Sequence, residues 1–337
     1  MDAYKIETGN GEIYANKSIE AEIISDEEIP VLDAEKLSQF LSCGDTGHDA
    51  ELELYKIINY CTTIGFFYVK NHGISRENRN RIFASAKTFF DLSMQEKMSY
   101  YNNDKTHIRG YNPANKNTNK NGIMEFLESF YMGSEPIKGK TNHEEYAENI
   151  WPERPDDFYL NVSSYYNSMT QIGNMLFAAF CKVLSVDEKI ARSMITYPGC
   201  KMRLIHYPNQ SGVDEGMMHL GARAHTDHEW FTILTQDNIT ALQILNRKNK
   251  WIWAKPKDDY LLINIGDQLS RFTNGYLRST VHRVLNMSGL DRYSVAFFYN
   301  INYDTVVTPL EIDGAPKSFE PFHSGDFIIR RRAATYA

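Results

Sequence analysis

The chain has 337 residues, 42% of them hydrophobic and 13% aromatic, with 36 basic against 43 acidic side chains and a formal net charge of −7. With 21 Tyr and 18 Phe it can bury enough apolar surface to offset its conformational entropy, which excludes disorder as the dominant state. The acidic balance argues against a nucleic-acid or anionic-membrane surface, both of which reward clustered Lys and Arg, and points to a small-molecule partner.

Cys43, Cys61, Cys181 and Cys200 form no C-x-x-C pair, which fits buried thiols in a reducing compartment and neither a disulfide framework nor a thiolate zinc site. No run of signal-peptide character and no stretch of about 18 uninterrupted apolar residues is present. The expected location is the cytoplasm, with no membrane contact, and a monomer is the default state.

Residues 1–28 are polar and acidic and read as a loosely held arm. The fold begins at Ile29-Pro-Val-Leu32. Leu52, Leu54, Ile57, Ile58 and Cys61 have helical spacing over 50–64, and Gly65 ends that helix before a buried strand at Phe66–Val69. A second helix runs from about Ser75 to Leu92, since Ile82, Phe83, Ala86, Phe89 and Phe90 share one face. Ser93-Met-Gln-Glu96 has the form of a capping box opening a short third helix. The Asn/Lys-rich stretch over 112–122 reads as a mobile surface loop, with nothing to say whether it covers a pocket. A long amphipathic pattern over 156–184, including Tyr159, Val162, Tyr166, Met169, Ile172, Leu176 and Phe180, predicts a helix packed on the core.

From about residue 200 the texture changes to short runs rich in β-branched and aromatic residues: Met202–Tyr207, Phe231–Thr235, Leu242–Leu245, Trp251–Ala254, Tyr260–Ile265, Ser279–Val284 and Ser294–Asn300. Asn264-Ile-Gly-Asp267 and Thr273-Asn-Gly275 supply turn chemistry between them. Seven strands at this spacing predict an antiparallel sandwich or jelly roll. The expected organisation is an arm over 1–28, an α-rich region over 29–185 and a β catalytic region over 186–337.

His225-Thr-Asp227 is the sharpest chemical feature. On an extended strand residues i and i+2 share a face, so the imidazole and the carboxylate can converge on one ion. His282, in the alternating segment Thr280–Val284, can complete a set of two His and one carboxylate if the strands bring it across. Such a set leaves open positions on an octahedral metal, as non-haem Fe(II) requires, whereas zinc would favour a tetrahedral site. Ten residues further on, Arg292 and Ser294 again sit at i and i+2, a planar cation beside a hydroxyl, suited to gripping a carboxylate.

Taken together, residues 29–337 resemble the Fe(II)- and 2-oxoglutarate-dependent dioxygenases, in the branch that includes isopenicillin N synthase. The resemblance rests on Gly65–Ile74, Arg109-Gly-Tyr111, Arg203–Pro208, His225-Thr-Asp227, Leu242-Gln243, Asn264–Asp267, Asn274-Gly275, His282-Arg-Val284 and Arg292-Tyr-Ser294. It implies a double-stranded β-helix jelly roll, mainly β with α, with an N-terminal helical region packed outside it. It also implies that His225, Asp227 and His282 bind Fe(II), and that Arg292, Ser294 and Tyr207 hold the distal carboxylate of 2-oxoglutarate. Where many plant members have Asn two positions before that Tyr, this chain has Ile205. The reaction implied is oxidation of a small organic molecule by O₂ at a C–H bond, with formation of succinate and CO₂. Phe231, Phe298, His228 and Tyr111 are the substrate-side candidates, while His206 and His219 match no ligand position. A 2-oxoglutarate-independent iron oxidase resembling isopenicillin N synthase is the alternative, because there the Arg/Ser pair grips the substrate's own carboxylate. A non-catalytic jelly-roll binding protein is the remote one.

Overall fold

A computed structural model describes residues 3–16, 20–22, 29–43, 48–102, 108–114, 125–209 and 221–336. In chain order the elements are β1 (Ala3–Thr8), β2 (Gly11–Asn16), β3 (Val31–Asp33), α1 (Ala34–Cys43), α2 (His48–Thr63), β4 (Phe66–Lys70), α3 (Arg76–Phe90), α4 (Met94–Ser99), β5 (Gly110–Asn112) and β6 (Glu128–Gly133). They continue through α5 (Phe158–Val183), α6 (Glu188–Met194), β7 (Lys201–Tyr207), β8 (Ala222–His225), β9 (Phe231–Gln236), β10 (Leu242–Leu245), β11 (Trp251–Trp253) and β12 (Leu261–Ile265). The last are α7 (Asp267–Phe272), β13 (His282–Val284), β14 (Arg292–Tyr299), β15 (Val306–Val307), β16 (Phe322–His323) and α8 (Ser324–Tyr336).

Two sheets make the jelly roll. The larger has eight strands in the order β3-β4-β12-β9-β14-β7-β6-β5, and the smaller has four in the order β11-β10-β13-β8. Alternation along the strands divides the apolar residues between two cores. Phe231, Ile233, Phe297, Tyr299, Met202 and Leu204 face outward onto the helices, while Ile205, Tyr207, Ala296 and Leu262 face inward against Ala222, Leu242, Ile244 and Val284 of the smaller sheet. Helix α5 covers the outer face with Phe158, Val162, Tyr165, Met169, Ile172, Leu176, Phe177 and Phe180. It lies so close that a Cβ at Gly173 would sit 2.2 Å from the ring of Tyr299, so glycine is what permits the contact. Each fully buried side chain of this size contributes roughly 1.5–3 kcal/mol.

The expected helices and capping signals are present: Ser75 caps α3, and Ser93 and Glu96 form the reciprocal capping box of α4. Cys61, Cys181 and Cys200 are buried free thiols, and burial pushes all three thiols well above their ordinary value. No helix among the described residues is long and apolar enough to cross a membrane.

Two expectations change. Over 3–16 the arm is a β-hairpin, β1 with β2, whose Ile6 and Ala15 are buried with Ala224, Leu245, Trp251 and Val281. Nor does the boundary at 185 separate two units. The large sheet takes β3, β4, β5 and β6 from before it and β7, β9, β12 and β14 from after it, because β6 pairs along its whole length with β7. Most of the Asn/Lys-rich stretch, 115–122, lies outside the described residues, as does His219.

Candidate active site

Two facing strands position the triad. In the antiparallel register of β13 with β8, His282 lies directly opposite His225, and their ring centroids are 4.3 Å apart. Asp227 follows two residues after His225, and its Oδ1 is 3.5 Å from His225 Nε2 and 3.7 Å from His282 Nε2. The three ligand atoms all lie within 4.8 Å of one another.

The surrounding contacts orient these atoms. His225 Nδ1 faces the carbonyl of Arg223 at 2.7 Å, and His282 Nδ1 faces that of Thr280 at 3.1 Å. A carbonyl only accepts, so each Nδ1 carries the proton and each Nε2 turns a lone pair to the site, as a metal ligand requires. The Thr232 hydroxyl and Asn264 Nδ2 donate to Asp227 Oδ2, the latter at 2.7 Å, which leaves Oδ1 facing the histidines. Burial opposes ionisation of Asp227, but His282 and His225 beside it, with the Thr232 bond, hold its carboxyl far below the usual range. Burial, with the neighbouring His225 ring, pushes His282 down to about 4, so it is unprotonated at neutral pH. For His225 burial also opposes the charged form, and Asp227 outweighs it, so its value is raised.

On β14 the inward residues run Arg292, Ser294, Ala296, Phe298. The guanidinium of Arg292, 1% exposed, donates through Nη2 to Gln236 Oε1 at 2.9 Å and lies 4.8 Å from the ring of Tyr207, its register partner on β7. Its Nε and Nη1 and the Oγ of Ser294 are buried with no hydrogen-bond partner among the described residues. Orphaned buried donors are costly, and a planar cation beside a hydroxyl is the donor set a carboxylate would satisfy. Ile205 stands opposite Ser294 and packs in the inner core with Tyr207.

A cavity of about 130 Å³ opens on His225 and Asp227 of the triad, lined among others by Phe298, His228, Glu229, Lys201, Arg203 and Tyr131. Phe298 and His228 are therefore at the site. Phe231 is not: it is fully buried on the outward face, stacked on Tyr299 at 4.7 Å, because it has the opposite strand parity to Thr232. Tyr111 also faces away from the cavity, donating to Glu128 at 2.6 Å within a buried group completed by Lys97 and His206.

Residues 29–154 match the N-terminal model of the non-haem dioxygenase in morphine synthesis, and residues 198–301 match the 2OG-Fe(II) oxygenase superfamily. A 2-oxoglutarate-dependent dioxygenase of Talaromyces stipitatus is 33% identical over 329 residues, which cover 93% of this chain and 97% of the relative. The chain belongs to the 2OG-Fe(II) oxygenase superfamily. A homoarginine-6-hydroxylase of Arabidopsis thaliana is 33% identical over 84% of this chain and 88% of its own length. Among solved structures, a full-length Neurospora crassa protein in complex with alpha-KG and thymine superposes with a TM-score of 0.78 at 26% identity, covering 94% of this chain and 100% of that one. This oxygenase is accordingly an Fe(II)- and 2-oxoglutarate-dependent oxidoreductase of jelly-roll fold that acts on a small molecule with O₂.

Sequence reasoning did not single out Gln236, Thr232 and Glu229; for Thr232 the shared parity of β9 with the metal side is the signal that could have found it. Two other features of the oxygenase look like sites and differ in chemistry. His143, His323 and Asp326 also gather within 4.8 Å, but His143 Nδ1 accepts the amide of Glu145 at 3.2 Å. Its Nε2 therefore keeps the proton and faces Asp326 as a donor, the reverse of the tautomer at His225 and His282. A larger cavity, of about 510 Å³, is lined by Tyr146, Trp151, Tyr159, Tyr166 and Tyr197 and holds none of the triad.

Proposed function

We propose that His225, Asp227 and His282 hold Fe(II), and that Arg292 and Ser294, with Tyr207 packed on the guanidinium, hold the far carboxylate of 2-oxoglutarate. The observation that carries this reading is the set of buried donors at Arg292 and Ser294 that nothing in the described chain satisfies, on the same face of β14 as Phe298 at the triad. The iron, when bound, supplies the O₂ chemistry that couples decarboxylation of 2-oxoglutarate to succinate and CO₂ with oxidation of a substrate C–H bond.

The chain's own residues do the rest. The Arg223 and Thr280 carbonyls fix the histidine tautomers, and Thr232 and Asn264 hold one carboxylate oxygen of Asp227 so that the other faces the histidines. Gln236 fixes the guanidinium of Arg292 so that its remaining N–H groups form a fork. Phe298 gives the substrate an apolar wall. The reaction is oxidation of a small organic molecule at a C–H bond, by hydroxylation, desaturation or a related outcome, carried out by a cytoplasmic monomer that contacts neither nucleic acid nor membrane. The acidic net charge and the buried free thiols support that setting.

The test is anaerobic titration of the Fe(II)-loaded protein with 2-oxoglutarate, followed by its visible metal-to-ligand charge-transfer band. A band that appears in the wild type and is weakened in Arg292→Ala supports the assignment. Iron binding without a band overturns it and returns the Arg/Ser pair to the substrate's carboxylate.

A further inference from the structure

The charged groups on the wall of the triad cavity are engaged by their neighbours, with one exception. Lys201 and Arg332 both pair with Glu145, Arg223 takes Glu125 on its amide and beside its guanidinium, and the Arg203 guanidinium lies 4.8 Å from the ring centre of Tyr131. Glu229 is only 8% exposed, yet no other described residue donates a hydrogen bond to its carboxylate and none forms an ion pair with it. Burial works against its charged form, as does Asp227, while its own amide and the more distant Lys201 and His228 favour it.

Its position is rigid. The Glu229 carbonyl accepts the amide of Gln268 at 3.3 Å, the next amide, Trp230, donates to Tyr299 O at 3.1 Å, and a Cβ at Gly266 would lie 2.1 Å from the Glu229 carbonyl oxygen. The irregular segment after β8 that carries Asp227 thus places a second carboxylate, two residues on, at the same cavity, with Phe298 and Ile328 among its apolar lining. A carboxylate this far buried, with no side chain paired to it, has given up part of its hydration, and a ligand bringing N–H groups replaces what was lost. Bonds from a cationic donor to a carboxylate are roughly twice as strong as neutral ones.

We propose that Glu229 anchors the substrate, and that the substrate joins an apolar body, lying on Phe298, to a cationic nitrogen head: an amine, amidine or guanidine. This rests on the reading of the cavity as the active site of the oxygenase. The anchor sets which molecules are oxidised and which of their carbons lies at the triad.

The test uses the anaerobic protein loaded with Fe(II) and 2-oxoglutarate, and benzylamine, benzyl alcohol and toluene as probes that share a ring and differ in head group. Binding is read by ligand-observed NMR. The expected result is that benzylamine binds about tenfold tighter than either other probe, that Glu229→Gln brings all three within about twofold, and that Glu229→Asp keeps the order. Equal binding of toluene in the wild type, a preference that survives Glu229→Gln, or no benzylamine binding up to about 5 mM overturns the anchor. Benzyl alcohol binding as well as benzylamine overturns the cationic head. The 2-oxoglutarate band, recorded on the same samples, separates failure of this proposal from failure of the active-site reading, which would remove the band itself.

Discussion

The amide of Gly9 donates to Oδ2 of Asp267 at 2.7 Å, and a Cβ at residue 9 would lie 2.4 Å from that same oxygen. Asp267 is fully buried; it also receives the hydroxyls of Thr226 and Ser279, and its own amide donates to the carbonyl of Asp227. The hairpin packs on Ala224, beside His225, and on Val281, beside His282. It therefore braces the chain neighbours of all three triad residues from behind, although it lies outside both regions matched by the family models.

Gly9→Ala is accordingly expected to push the hairpin tip off Asp267. The expected cost is about 1–3 kcal/mol of stability, measured by urea unfolding. Fe(II) affinity should fall about 10–100-fold, as for other residues that orient ligands from behind, measured by competition with a chromophoric chelator. Unchanged metal affinity in a destabilised protein would make the hairpin a brace for the fold alone.

Arg292→Lys keeps the charge and loses the planar fork, so it is not a conservative change at a site built for two parallel bonds. The KM for 2-oxoglutarate should rise by a factor equivalent to about 2–5 kcal/mol while Fe(II) affinity stays near that of the wild type. Ser294→Ala removes one neutral donor and should cost about 0.5–1.5 kcal/mol by the same measurement. Steady-state kinetics in 2-oxoglutarate, with iron binding measured separately, distinguishes a clamp on the co-substrate from a general disturbance of the site.

Much of this site was legible because its chemistry repeats at the period of a strand. Arg292 and Ser294 are an i and i+2 pair on β14, whereas β8 ends at His225 and Asp227 follows two residues later, just past the strand. What could not be read was parity. The large sheet is covered on both faces, so its strands are apolar on both sides and the alternation that separates inside from outside disappears. Phe231 and Thr232 are equally plausible wall residues until the bond from Thr232 to Asp227 decides between them. Tyr111, on β5, packs in the outer core and donates to Glu128. The N-terminal hairpin is a different kind of miss, since Gly9-Asn10-Gly11 between alternating residues is a turn signal, overlooked against a polar composition.

Thr232→Val is nearly isosteric and removes one of the two donors that hold Asp227 Oδ2. Asn264 still holds the carboxylate, so the fold should survive while the carboxylate gains freedom to rotate. Fe(II) affinity should fall about tenfold, and Thr232→Ser, which keeps the hydroxyl, should restore most of it. A loss of affinity shared equally by the Val and Ser variants would show that packing, not the hydrogen bond, is what matters at this position.

Glu145 links the cavity wall to the C-terminal helix, because it is fully buried and pairs with Lys201 on β7 and with Arg332 on α8. Burial alone would raise its carboxyl, but the two cations outweigh that and hold it below the ordinary value of 4.5. Burial lowers Lys201 as well, the usual cost of taking an ammonium out of water. Since its Nζ touches Glu145, we take the pair as formed at neutral pH and lost on the acid side. A carboxyl held low in the folded state binds its proton more readily once unfolded. Its contribution is therefore complete above about pH 4.5 and disappears as the pH falls through the folded value. Glu145→Gln leaves Lys201 buried without its countercharge and should cost about 3–5 kcal/mol at pH 7. At an acid pH below that folded value the wild type loses the same charge, so the two proteins should converge there. Urea unfolding at both pH values checks this, and a gap that stays constant between them would show that the Glu145 carboxyl does not titrate with folding.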